Sequence, residues 1–170
     1  VSKYSKPLPN NCDALGHFPA FLRKTDEPNL LTRPEWIDKY FRGKFCYIST
    51  KMDGQSGTYF LNNGEFGVCS RNLQLKDGNN PFWNMARKYD IEAKLRKYRE
   101  VFGGWHEGVA MQAEIYGPGI QKNPMGANNV DMVVFNLFNI GAARYADANA
   151  LKTFCIECEF PIVKIIWSDE

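Results

Sequence analysis

The hydrophobic pattern changes period several times along the chain. Apolar, β-branched stretches at 44–50, 57–62 and 65–70 read as short strands. Asn62-Asn63-Gly64 between the last two supplies the positive-φ residues of a tight hairpin. From 80 to 102 the period becomes helical: Asn80-Pro81 starts the run, Phe82, Met85, Ala86, Tyr89, Ala93, Leu95 and Tyr98 recur every three to four residues, and Gly103-Gly104 ends it. Strands return at 108–117, 131–140 and 161–167, and the stretch ADANALKTFCIECEF before the last of these reads as a helix. Residues 1–34 are rich in Pro and Asn and read as an extended, turn-rich lead-in. RPEWIDKYF then reads as a short helix, with Thr32 or Arg33 as its cap and Pro34 in its first turn. Strands outnumber helices and mostly neighbour one another as hairpins. The expected class is α+β, with a mainly antiparallel sheet and flanking helices. The expected organisation is one domain over 1–170: a lead-in with a short helix over 1–43, and a core over 44–170.

Composition narrows the function. With 44% apolar residues and 12 Phe, the chain has the means for a packed core rather than disorder. A formal charge of +2 is too small to mark a nucleic-acid binder by electrostatics alone. No run is long and apolar enough for a membrane span, so no membrane partner is expected. The five cysteines, Cys12, Cys46, Cys69, Cys155 and Cys158, are odd in number and irregular in spacing, which is no disulfide framework. Cys155-Ile-Glu-Cys158 lacks a second pair or a His partner at zinc spacing. It reads as ordinary reduced thiols near a helix end, one or both buried. The default setting is reducing, intracellular and cytoplasmic, and the default state is monomeric.

Four features carry chemistry. Lys51-Met52-Asp53-Gly54-Gln55-Ser56 joins two strand-like stretches, Ser70-Arg71-Asn72 ends a hairpin, Gln112-Ala113-Glu114 opens a segment running to GPGIQ, and Val133–Phe138 is an aromatic-bearing strand. Each has a plain structural reading. A strand-end lysine is commonly a solvated cation, Arg71 an ion-pair residue, and Phe135 and Phe138 core. Glu114 is more telling, since a carboxylate inside an apolar strand needs a partner to offset desolvation. Together the four suggest a nucleotide. A carboxylate and an arginine can bond ribose hydroxyls, a phenylalanine can cover a purine, and a lysine with a neutral amine can attack an α-phosphate in line.

KMDGQS resembles the KxDG signature of the covalent nucleotidyltransferases, the superfamily of DNA ligases, RNA ligases and mRNA capping enzymes. SRNLQLKD, AEIYGPGIQKNPMG and VVFNLF are similar to later motifs of ATP-dependent RNA ligases, and the lead-in GHFPAFLRKTDEPNLL resembles the segment before their nucleophile in the bacterial and amoeboflagellate type. The likeness spans most of 16–140. It implies a nucleotidyltransferase core, ATP-grasp-like, with Lys51 forming a lysine–AMP adduct from ATP. Asp53 and Gly54 would shape the turn that presents Lys51, and Ser56 would lie near RNA or phosphate. Arg71 and Glu114 would contact ribose, and Phe135, in preference to Phe138, would stack on adenine. Backbone groups at Ser49 and Thr50 would read the adenine edge, and Lys24, Thr25 and Asp26 would line the pocket. It also implies Mg2+ or Mn2+, although no dedicated metal ligands are assigned, and RNA ends, a 5′-phosphate and a 3′-OH, as partners in RNA repair.

The family's later EGxV carboxylate motif and its final KxK are not found. After Phe138 only Lys152 and Lys164 remain before the last residues, and IVKIIW has the wrong spacing. The expectation is a partial adenylyltransferase domain, short of those motifs and of the accessory oligonucleotide-binding domain, and incomplete for activity by itself. A DNA ligase, a capping nucleotidyltransferase, and a degenerate non-catalytic module binding nucleotide or RNA stay open as alternatives.

Overall fold

The structure, a computed structural model, describes residues 13–102, 105 and 107–168. Cys12 and the Gly103-Gly104 stop lie outside them. Strands β1 (Ala14–His17), β2 (Tyr47–Ser49), β3 (Gln55–Asn62), β4 (Glu65–Cys69), β5 (Leu73–Leu75), β6 (Gly108–Tyr116), β7 (Asp131–Asn139), β8 (Arg144–Tyr145) and β9 (Ile165–Ser168) combine with helices α1 (Pro81–Lys88), α2 (Ile91–Val101) and α3 (Ala148–Glu157). Seven strands form one antiparallel sheet in the order β1-β5-β4-β3-β6-β7-β8, and β2 and β9 pair apart from it as a two-stranded ribbon. The α+β expectation and its antiparallel core are therefore met.

The hairpin follows from its turn residues. Asn63 and Gly64 both take positive φ (49° and 84°), and β3 and β4 pair in continuous register from Asn62–Glu65 to Thr58–Cys69. Asn80 caps α1 by accepting from the Trp83 N–H at 3.0 Å, with Pro81 just inside. Asp147 caps α3 in the same way, accepting from the Ala150 N–H at 2.8 Å.

One face of the sheet is sealed. Tyr59, Leu61, Val109, Met111, Ala113, Ile115, Met132, Val134 and Leu137 turn the same way by strand alternation and pack against Met85, Ile91, Leu95, Tyr98, Leu151 and Phe154 of the three helices. On the other face, Phe60, Ala110, Phe138, Cys69 and Leu22 form a smaller cluster at one end only. The rest of that face stays open.

Four expectations need correction. The run 80–102 is two helices, because Asp90 sits at φ 51° between them and a left-handed residue ends an α-helix. RPEWIDKYF is a short helix as expected, but over Ile37–Phe41 it takes the wider π form, in which the Arg42 N–H reaches back to the Ile37 carbonyl at 2.8 Å; none of the side chains from Ile37 to Phe41 is buried, so no packing holds the regular α form there. The stretch 44–50 contributes only Tyr47–Ser49, and these pair with β9 rather than with β3. In 161–167, Ile162 makes only a parallel bridge to Val134, and the strand proper begins at Ile165. Cys155 and Cys158 are both buried free thiols, and burial pushes both up, to about 12 and about 11, which leaves them inert near neutral pH.

Candidate nucleotide-binding site

A cleft of roughly 970 Å³ lies between the open face of β3, β6 and β7, the β2–β9 ribbon and the lead-in. Two backbone bonds hold the segment leading into β9 against β7, Val134 N–H to Pro161 at 2.7 Å and Val163 N–H to Val134 at 3.0 Å, and a third, Thr50 N–H to the Lys164 carbonyl at 2.9 Å, ties the end of β2 to that same segment. Lys51 follows directly on this tie and opens the connection to β3. Its neighbours are thus fixed on both sides.

Ser49, Thr50, Lys51, Asp53, Gly54, Ser56, Arg71, Glu114 and Phe135 all line this cleft. Glu114 is its electrostatic centre. Burial raises its carboxyl above the usual range. Lys51 opposes that rise, as do a hydrogen bond donated by the Gly54 N–H and the charge of Arg71, while Asp53 adds to it. Ser56 stands directly across from Glu114 in the β3–β6 register. Gly54 has a steric reason to be glycine: a Cβ there would meet the Ile115 carbonyl oxygen at 2.1 Å, so the turn behind Lys51 can approach β6 only without a side chain.

Phe135 owes its position to a bulge. Gln112 pairs with Asn136 and Ala113 with Val134, so Phe135 is the extra residue of β7. The buried apolar face reads Met132, Val134 and then Leu137, so the parity of the strand switches at the bulge. As a result Phe135 and Asn136 both face the cleft. Phe138, the second-choice ring, is core: it is 2% exposed and sits edge-on to Tyr145 at 5.1 Å.

The lead-in straps this face. Thr25 and Asp26 line the cleft, while Lys24 is not among the lining residues. Thr25 Oγ1 donates to Ser56 Oγ at 2.8 Å, Lys24 Nζ to Asn72 Oδ1 at 2.7 Å, and Arg71 Nε and Nη2 to Asp26 Oδ1 at 3.0 and 2.6 Å. Thr50's N–H is taken by Lys164, so of its backbone groups only the carbonyl is left to read a base.

Sequence reasoning passed over Tyr47, Glu27, Gln121 and Asn136, which also line the cleft, and Gln112 behind it. For Gln112 a signal existed. Gln112, Glu114 and Tyr116 are polar at every second position of an apolar strand, which places them on one face. Gln121 sits in a loop where three successive non-glycine residues, Gln121, Lys122 and Asn123, take left-handed φ of 46°, 60° and 54°. That costly conformation borders the cleft. Among the described residues no three His, Cys, Asp or Glu side chains cluster to hold a metal.

The open face of the antiparallel sheet thus brings a lysine, a carboxylate, an arginine and a ring into one cleft. Residues 44–170 match the family model described as RNA ligase. The chain belongs to the RNA ligase family. Among solved structures it is similar to a Naegleria gruberi RNA ligase in several states. A variant with AMP and Mn superposes with a TM-score of 0.84 at 26% identity, covering 93% of this chain and 46% of that one. The same enzyme with PPi gives 0.83 at 26%, covering 99% and 50%, and a variant with ATP and Mn gives 0.83 at 26%, covering 93% and 47%. The chain thus spans about half the length of these structures. A comparison with curated proteins yields no match.

Proposed function

We propose that this chain carries the nucleotide-binding and lysine-adenylating part of an ATP-dependent RNA ligase. The observation that carries the reading is the convergence of Lys51, Asp53, Arg71 and the Gly54 N–H on one half-buried carboxylate, Glu114, in a cleft also lined by Phe135. Phe135 covers adenine, Glu114 and Arg71 bond the ribose hydroxyls, and Lys51 meets the α-phosphate. The neutral amine attacks the α-phosphorus, a P–N bond forms, the bond to the β-phosphate breaks, and pyrophosphate leaves. AMP then passes to an RNA 5′-phosphate. A 3′-OH attacks that phosphate and AMP departs.

Of the carboxylates lining the cleft, Glu114 is committed to ribose and Asp26 to Arg71; Asp53, two residues from Lys51, would touch Mg2+ or Mn2+, with phosphate and water supplying the remaining ligands. Such an ion neutralises triphosphate charge when bound. The solved N. gruberi relatives with ATP or AMP and Mn support the same reading.

The test is incubation with ATP labelled at the α-phosphate, with Mn2+ or Mg2+. Acid-labile label on the protein, lost in Lys51→Ala, is the expected outcome. No label under either metal would contradict it and leave a binding module.

A further inference from the structure

The bulge in β7 does more than aim a ring; it also brings the adjacent Asn136 amide to the cleft, where its polarity is set from behind. Gln112 Nε2 donates to the Arg23 backbone carbonyl at 2.6 Å. A carbonyl oxygen can only accept, so the Gln112 nitrogen must point at Arg23 and its Oε1 must point away. That oxygen accepts from Asn136 Nδ2 at 3.1 Å. Asn136 is therefore locked in turn, with its own Oδ1 the atom left over. Among the described residues nothing donates to that oxygen, and it is not one of the buried atoms without a partner, so it is open to the cleft that Asn136 lines. Gln112 is 1% exposed, and Thr58, beside it in the β3–β6 register, is 2% exposed, so water does not compete for the inner end of the relay.

We propose that Asn136 is a specificity-determining residue, held by the Arg23–Gln112–Asn136 relay as a one-way acceptor that selects a purine with a 6-amino group over one with a 6-oxo group. The proposal rests on the nucleotide reading above. Phe135 and Asn136 are adjacent on the bulge, so a base lying on the ring brings its edge to the amide. An amino group donates to Oδ1. A 6-oxo group sets two acceptors against each other and leaves both unpaired. The lead-in takes part, because the carbonyl that anchors the relay is its own.

The test is calorimetric binding of AMP, of IMP, and of the purine monophosphate bare at position 6 to the wild-type chain, Asn136→Ala and Gln112→Met. Wild type is expected to rank AMP above the bare purine and the bare purine above IMP, with about tenfold or more between the ends. Asn136→Ala should lose AMP affinity by about tenfold while IMP affinity holds or rises, bringing the ratio toward one. Gln112→Met frees the amide to turn, so IMP binding should improve although residue 136 is unchanged; a merely structural role would not yield that gain. Equal loss of AMP and IMP in Asn136→Ala, or an unchanged ratio in both variants, would overturn the proposal while leaving the nucleotide reading intact. Failure of wild type to bind any of the three would overturn both.

Discussion

The two faces of the main sheet are built by the same strands and could hardly differ more. On the helical side, Tyr59, Leu61, Met111, Ile115 and Leu137 meet three helices in a buried apolar cluster. On the other, one step along each strand, come Ser56, Thr58, Gln112, Glu114 and Asn136, with a partly exposed phenylalanine. Alternation makes this division possible. The lesson is that stability and chemistry are separated by one residue of register. The sealed face supplies the free energy of folding, and the open face carries a half-buried carboxylate that works against it.

Substitutions on the two faces should therefore have different signatures. Leu95→Ala on the sealed face should cost about 2–5 kcal/mol in denaturant unfolding, with nucleotide affinity per folded molecule unchanged. Gly54→Ala lies on the border. Its Cβ would press on the Ile115 carbonyl at 2.1 Å and displace the N–H that bonds Glu114. A stability loss of about 1–3 kcal/mol should accompany a far larger loss of nucleotide binding, read by calorimetry.

Glu114→Gln should move the two properties apart. The raised Glu114 carboxyl means that the folded chain keeps this proton to higher pH than the unfolded chain. Its contribution to stability is thus greatest below the ordinary glutamate range and falls as pH rises through the raised value. The glutamine variant should lack that slope and be more stable above it, by only a few tenths of a kcal/mol because the group is half exposed, while binding nucleotide poorly. Asp131, on the adjacent strand, has the opposite sign. Burial raises its carboxyl, but hydrogen bonds from Tyr89, Lys88 and the Met132 N–H outweigh burial and hold it low. Its contribution is present above the usual aspartate range and lost as pH falls. Unfolding midpoints across pH for Glu114→Gln and Asp131→Asn distinguish the two. The smallest effect belongs to Asp26→Ala. Its pair with Arg71 is exposed on both sides, so the free energy of unfolding should fall by less than about 0.5 kcal/mol.

The division between the faces was partly readable from residues alone. The long strands β3, β4, β6 and β7 declare themselves by pattern, and the Asn63-Gly64 turn declares its own geometry. Lys51 and Glu114 stand out because a charge beside apolar strands needs a reason. What could not be read depends on contacts distant in sequence. β2 finds β9 more than a hundred residues on, Asp26 finds Arg71, and Arg23 anchors Gln112. The short strands β1, β5 and β8 are too brief to show a period. The bulge at Phe135 leaves no mark in VVFNLF, yet it places the ring and the amide together in the cleft. The left-handed Asp90 that splits the helical run is likewise a backbone choice that the residue type permits but does not announce.

The account's central claim is that the open face is shaped for a nucleotide with its α-phosphate at Lys51. A crystal structure of the chain with bound AMP tests it most directly. The account predicts the base on Phe135, the ribose against Glu114 and Arg71, and the phosphate within reach of Lys51 Nζ. AMP bound elsewhere, or lying in the cleft with its phosphate turned away from Lys51, would contradict it.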